Sequence, residues 1–132
     1  MIRLKGTERT FISKELIGFA DKLAKEGTVA IRLDLLMLGF SYAIQQQLPP
    51  VESYTKHELV RTQSLGENII AYEAAANWYA KELGLLEKIN DSNDLADFIC
   101  RVGVAGLSEL QKEWEVKSKS QIQWHIMQLA SI

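Results

Sequence analysis

The stretch from Thr28 to Gln47, TVAIRLDLLMLGFSYAIQQQ, has the length of a long helix, and Arg32 and Asp34 are its charged residues. At about 100° per residue, Asp34, Ser41 and Gln45 fall in one narrow polar seam. Ile31, Leu33, Leu35, Leu36, Met37, Leu38, Phe40, Tyr42 and Ile44 occupy almost all of the remaining circumference. A helix that is apolar on nearly every side belongs inside a core or an interface. If it is buried, its polar seam calls for hydrogen-bonding partners. Arg32, Gly39 and Ala43 share a second line, a groove in which another helix can lie close. The stretch therefore predicts a central helix over residues 28–47, capped by Thr28 and stopped by Pro49-Pro50, which cannot supply the N–H groups that a continuing helix needs.

The rest of the chain reads as helices arranged around this one. Ser13 is a good cap for a helix over Lys14 to Lys25, with Leu16, Phe19, Ala20 and Leu23 on one side and Gly27 as the stop. Ile2 and Leu4 alternate with Arg3 and Lys5, but Gly6-Thr7 interrupts the pattern, so residues 1–12 are expected to be irregular or a short strand. Thr55-Lys56-His57-Glu58 has capping-box spacing and predicts a short helix near residues 56–64, broken at Gly66. Glu67 to Leu83 is a helix by periodicity, with Ile69, Tyr72, Ala76, Tyr79, Ala80 and Leu83 on its core side. On roughly the opposite side Ala71, Ala74, Ala75 and Trp78 form a second stripe, suited either to another helix of the same fold or to a partner.

Asn90 to Asn93 is a turn by composition and leads into a helix whose core side is Leu95, Phe98, Ile99 and Val102. Asp94 and Asp97 suit the positive end of its dipole. Gly103 and Gly106 follow, and either admit a neighbouring helix closely or split the segment before Leu107, Leu110 and Trp114. Ser120 to Ile132 fits both strand alternation and a helix face. Helix is the expectation, because Met, Gln, Leu and Ala favour it and no second convincing strand stands ready to pair. On that helix Trp124 points away from the core side. The resulting fold class is all-α, a bundle of five to six helices forming one domain over residues 1–132, a length that suits a single core.

Charge and cysteine usage narrow the function classes. Residues 1–66 hold nine Lys/Arg against seven Asp/Glu, and residues 67–132 hold six against ten. The basic excess lies in the first 32 residues, where Arg3, Lys5, Arg9, Lys14 and Arg32 are the cations that could meet phosphate. It is not a polybasic arm. A single cysteine, Cys100, excludes an internal disulfide framework and suits a reducing cytoplasm. No uncharged apolar stretch is long enough for a membrane span.

Catalytic motifs are missing. His57-Glu58-Leu59-Val60-Arg61 opens like a zinc-protease helix, but Arg61 stands where the second histidine is required. With His57, His125 and Cys100 as the whole His/Cys inventory, no metal cluster is expected. Asp91, Asp94 and Asp97 read as helix-end electrostatics, since the glycine turn and bidentate acid of a calcium loop are lacking. The glycines follow no P-loop or dinucleotide spacing. The expectation is a protein that is not an enzyme and carries no cofactor.

Arg9-Thr10-Phe11-Ile12-Ser13, the amphipathic helix ending at Gly27 and the helix beginning near Thr28 follow one another in an order that resembles the ribbon-helix-helix DNA-binding unit. The resemblance covers residues 8–47, about a third of the chain, and is one of organisation. It implies a strand that pairs with its mate in a dimer and offers Arg9, Phe11 or Ser13 to the major groove. The strand alternates poorly and the chain is net acidic, so nucleic-acid binding, as such a dimer or as a small helical subunit of a larger nucleoprotein complex, is the second of two expectations. The first is a structural or adaptor subunit acting through helix-mediated protein association or self-association, with Ala71, Ala74, Ala75, Trp78 and Trp124 as interface residues.

Overall fold

Two helices that meet backbone to backbone organise the molecule. The computed structural model describes residues 1–25 and 32–130. Along the chain come β1 (Arg9–Ser13), a 3-10 turn (Lys14–Leu16), α1 (Ile17–Lys25), α2 (Arg32–Gln46), β2 (Lys56–Arg61), a kinked 3-10 segment (Thr62–Asn68), α3 (Ile69–Glu82), α4 (Ser92–Trp114) and α5 (Lys119–Ala130). The central helix is therefore seen from Arg32. Its expected first turn, with Thr28 as cap, and the Gly27 stop of the preceding helix lie outside the described residues.

α2 packs along α4, and glycine makes the approach possible. A β-carbon on Gly39 would overlap the Gly103 carbonyl oxygen and stand 2.8 Å from the Leu107 nitrogen. One on Gly106 would overlap the Gly39 carbonyl oxygen and stand 3.0 Å from the Ala43 nitrogen. The groove expected at Gly39 and Ala43 is thus filled by this chain's own α4, and Gly103 and Gly106 admit a neighbour without breaking the helix, which runs unbroken for 23 residues. Leu36, Phe40, Leu95, Leu107 and Leu110 close the core around the crossing, and the buried side chains belong to one cluster. Arg32 stands apart from the groove, paired with Asp21 of α1 at 2.7 Å. The polar seam needs no internal partners, because Asp34 is exposed and Ser41 and Gln45 are half-buried.

The fold is mostly helical, but the all-α expectation needs correction: β1 and β2 form a two-stranded antiparallel sheet. The pairing is Phe11 with Glu58, Ile12 with His57 and Ser13 with Lys56, and one extra residue on β2 makes a bulge before Arg9 meets Arg61. Residues 56–61, expected as helix, alternate instead, with His57 and Leu59 turned inward and Lys56, Glu58 and Val60 outward. The capping-box spacing offered a local solution for a few backbone groups, whereas the ladder to β1 satisfies them along the whole segment. It also places His57 and Glu58 on opposite faces. β1 packs on α4, where the Phe11 N–H donates to the Cys100 Sγ at 3.3 Å. Ser13 acts as a cap as expected, its Oγ accepting from the Glu15 N–H at 3.3 Å, but over a 3-10 turn, with α1 starting at Ile17.

Helix ends follow their local chemistry. Asp91 caps α4 by accepting from the Asp94 N–H at 2.8 Å, and the Asp94 carboxylate accepts from the Asn90 N–H at 3.0 Å. α2 and α3 end alike. Gln47 (φ 57°) and Gly84 (φ 71°) adopt left-handed conformations, and the next N–H reaches back to Ala43 in one case and Ala80 in the other. The two are the same C-terminal motif, built with glycine in one helix and glutamine in the other.

Candidate interaction surface

α3 presents two unlike sides. Ala76, Tyr79 and Ala80 are buried, and Ile69, Tyr72 and Leu83 pack partly buried against the core, which is the side its periodicity predicted. Tyr79 also donates its hydroxyl to the Leu48 carbonyl, tying α3 to the loop after α2. On the outer side Ala71 and Ala74 are exposed, Ala75 is half-buried against the core, and Trp78 is 55% exposed. The Trp78 ring stacks on Tyr79 with centroids 6.3 Å apart. Ile70, 60% exposed, extends the stripe by one turn. It was missed in the sequence because it adjoins Ile69 and reads as part of the core side; its spacing of four from Ala74 and eight from Trp78 is the signal that places it outward.

One flank of α3 is polar and buried, and it clasps the N-terminal segment. Glu73 accepts from the Leu4 N–H at 2.8 Å and from Arg3 Nε at 3.3 Å. Asn77 donates to the Ile2 carbonyl at 2.9 Å and accepts from the Ile2 N–H at 3.3 Å. The segment then turns at Gly6 around the buried Glu8, whose carboxylate accepts from the Lys5 and Gly6 N–H groups and, at 2.6 Å, from the Thr62 hydroxyl. Burial would raise the Glu8 pKa, but the Thr62 and Ser92 hydroxyls and the Lys5 N–H outweigh it and hold the carboxyl down at about 2. α3 is therefore braced from the core on one side and by residues 2–8 on another, and its outer stripe is a rigid feature.

Trp124 belongs to a different surface. It is 61% exposed on α5, over a shallow depression shared with Lys117, Gln121, His125 and Gln128. Inward, α5 is fixed by Trp114 Nε1 donating to His125 Nδ1 at 2.8 Å. Glu113 binds both Lys117, at 2.9 Å, and the Tyr42 hydroxyl, at 3.0 Å. Burial and the neighbouring carboxylate raise the Tyr42 phenol to about 12.

The five cations considered for phosphate contact do not form a common patch of free charge. Arg3 is paired with Glu73 at 3.3 Å, Arg9 with Glu58 at 3.2 Å and Arg32 with Asp21. Lys5 and Lys14 are exposed. β1, the strand that the ribbon resemblance would pair with a dimer mate, is already bonded to β2 along one edge and to Cys100 at Phe11.

A cleft of about 480 Å³ lies between the Pro49–Glu52 loop and the start of α4. Three of its charged residues are engaged: Asp97 holds Arg101 at 2.7 Å, Arg101 donates to the Val51 carbonyl at 3.1 Å, and Asp94 accepts from the Asn90 N–H at 3.0 Å. Burial pushes the Cys100 thiol up to about 11, where it is not a nucleophile at neutral pH. His57, Glu73 and Asp34 stand on three separate parts of the molecule: a strand, a clasped helix flank and the exposed seam of α2. Among the described residues no group of three or more His, Cys, Asp or Glu is placed to hold a metal ion, and no helix is long and apolar enough to cross a membrane. No family model matches the chain, and neither the curated proteins nor the solved structures gave a significant match.

Proposed function

We propose that the chain is a non-catalytic structural or adaptor subunit that works by helix-mediated association, with the outer side of α3 as its principal contact. The observation that carries this reading is that Ile70 and Trp78, two large apolar side chains on one line of a braced helix, are each more than half exposed. Aromatic anchors set among small residues suit association: the ring supplies contact area, and the alanines let a partner backbone approach. A helix already held from behind loses little freedom when it binds. Trp124 on α5 offers a second, smaller contact. Cys100 fits a reducing cytoplasm as the setting.

Nucleic-acid binding has less support, because three of the five cations it needs are engaged by carboxylates. A photo-crosslinking amino acid in place of Ala71, introduced in cells, tests the association reading. A protein adduct is expected from that position and none from the exposed Glu109 on α4. No adduct from position 71, 74 or 124 would sink it. DNA or RNA affinity that falls steeply with added salt would move the assignment to nucleic acid.

A further inference from the structure

We infer that the outer side of α3 packs against the same side of a second copy of this chain, antiparallel, across a two-fold axis at Ala74. The inference rests on the association reading above and gives it an occupant. At about 100° per residue, Glu67, Ile70, Ala71, Ala74, Trp78 and Lys81 fall within about 100° of arc. Glu67 and Asn68 belong to the 3-10 segment that leads into α3, and at the about 120° per residue of a 3-10 turn Glu67 still falls on this arc. When two identical helices pair antiparallel about Ala74, residues equally far on either side of it meet. Ile70 then lies opposite Trp78 of the other copy, Ala74 opposite Ala74, and Glu67 opposite Lys81.

Each of these pairings is complementary. The exposed indole covers an exposed isoleucine, an alanine sits on the axis where the backbones come closest, and the ends carry opposite charges. Glu67 and Lys81 are both exposed, and neither has an ion pair within its own chain among the described residues. A parallel pairing of the same faces would set Glu67 against Glu67 and Lys81 against Lys81, which like-charge repulsion disfavours. A two-fold interface must be self-complementary, each patch matching itself in reverse, and this stripe meets that condition in size, shape and charge.

Sedimentation equilibrium of the purified chain, from about 1 μM to about 1 mM, is the test, since weak homodimers dissociate within that window. A monomer–dimer equilibrium is expected. Ala74→Glu, which brings two carboxylates together on the axis, should leave a monomer throughout, while the circular dichroism spectrum and the thermal midpoint at a concentration too low for association stay those of the parent. Glu67→Lys and Lys81→Glu should each weaken the dimer about threefold to tenfold, because each substitution breaks both symmetry-related pairs, and the double exchange should recover it. A parent chain that stays monomeric, a dimer indifferent to Ala74→Glu, or a double exchange no tighter than the singles would overturn the inference. A monomeric parent that still gives a crosslink from position 71 to a protein of different mass would overturn the second copy alone and leave the association reading standing. Loss of all crosslinks would remove both.

Discussion

The chain contains two lines of small residues on helices, and they meet opposite fates. Gly39 and Ala43 on α2 are covered by Gly103 and Gly106 of α4, with main chains in contact and no polar side chain between them. Ala71 and Ala74 on α3 face outward beside Ile70 and Trp78. The lesson lies in the neighbours: the first line is bordered by large aliphatic residues that complete a core around it, whereas the second is bordered by one indole, one isoleucine and charges. Smallness permits approach in both, and what surrounds it decides whether the partner comes from the same chain.

Substitutions can break this contrast. Gly106→Ala should have the largest effect, since the new carbon meets backbone that cannot yield; a loss of about 3 kcal/mol or more, or failure to fold, is expected in urea denaturation. An outcome under about 1 kcal/mol would show that the crossing is looser than its geometry implies. Next comes Glu8→Ala, which strands the Thr62 hydroxyl and the Lys5 and Gly6 N–H groups at a cost of about 1–3 kcal/mol. In the parent chain the Glu8 carboxyl is depressed from its ordinary 4.5 to about 2, so its contribution is complete above pH 4.5 and is lost as pH falls toward 2. Hydrogen exchange should therefore quicken in residues 2–8 under acid before it does around Gly39, Gly103 and Gly106, where the contact between α2 and α4 is main chain on main chain. Simultaneous loss in both regions would contradict this.

A smaller, opposite effect is expected at the end of α2. Gln47→Gly should stabilise by about 0.5–1 kcal/mol, because glycine adopts the left-handed conformation there without strain. The smallest effect belongs to the open line: Ala71→Leu should leave monomer stability within about 0.5 kcal/mol, read from the urea midpoint at a concentration too low for association. A large loss there would mean that α3 packs within its own chain in solution.

Parts of the fold with a local signature were legible in the sequence. The core side of α3 follows from periodicity and the end of α3 from Gly84, and small residues mark α2 and α4 each as able to admit a helix, though not as each other's partner. β2 was not legible, because Thr55 and Glu58 imitate a helix start while the partner that overrides them, β1, lies more than forty residues earlier. Nor were the buried roles of Glu8, Glu73 and Asn77, which depend on where residues 2–6 come to rest. Of the candidate surface, Ala71, Ala74 and Trp78 could be read directly, and Ile70 only by dividing the run Ile69-Ile70 between two sides, which its spacing from Ala74 and Trp78 requires.

The glycine crossing also bears on how distant relatives of this chain could be recognised. Where two main chains touch, no change of hydrophobicity or charge elsewhere can make room for a side chain, so those positions should drift far more slowly than the leucines around them, which can exchange volume with one another. Glycine followed four residues later by alanine, and then, about sixty residues on, two glycines three apart within a long amphipathic helix, form a sparse pattern that can outlast overall sequence similarity. A chain that carries this pattern, with an exposed tryptophan on the helix between, is the natural place to look for the same fold.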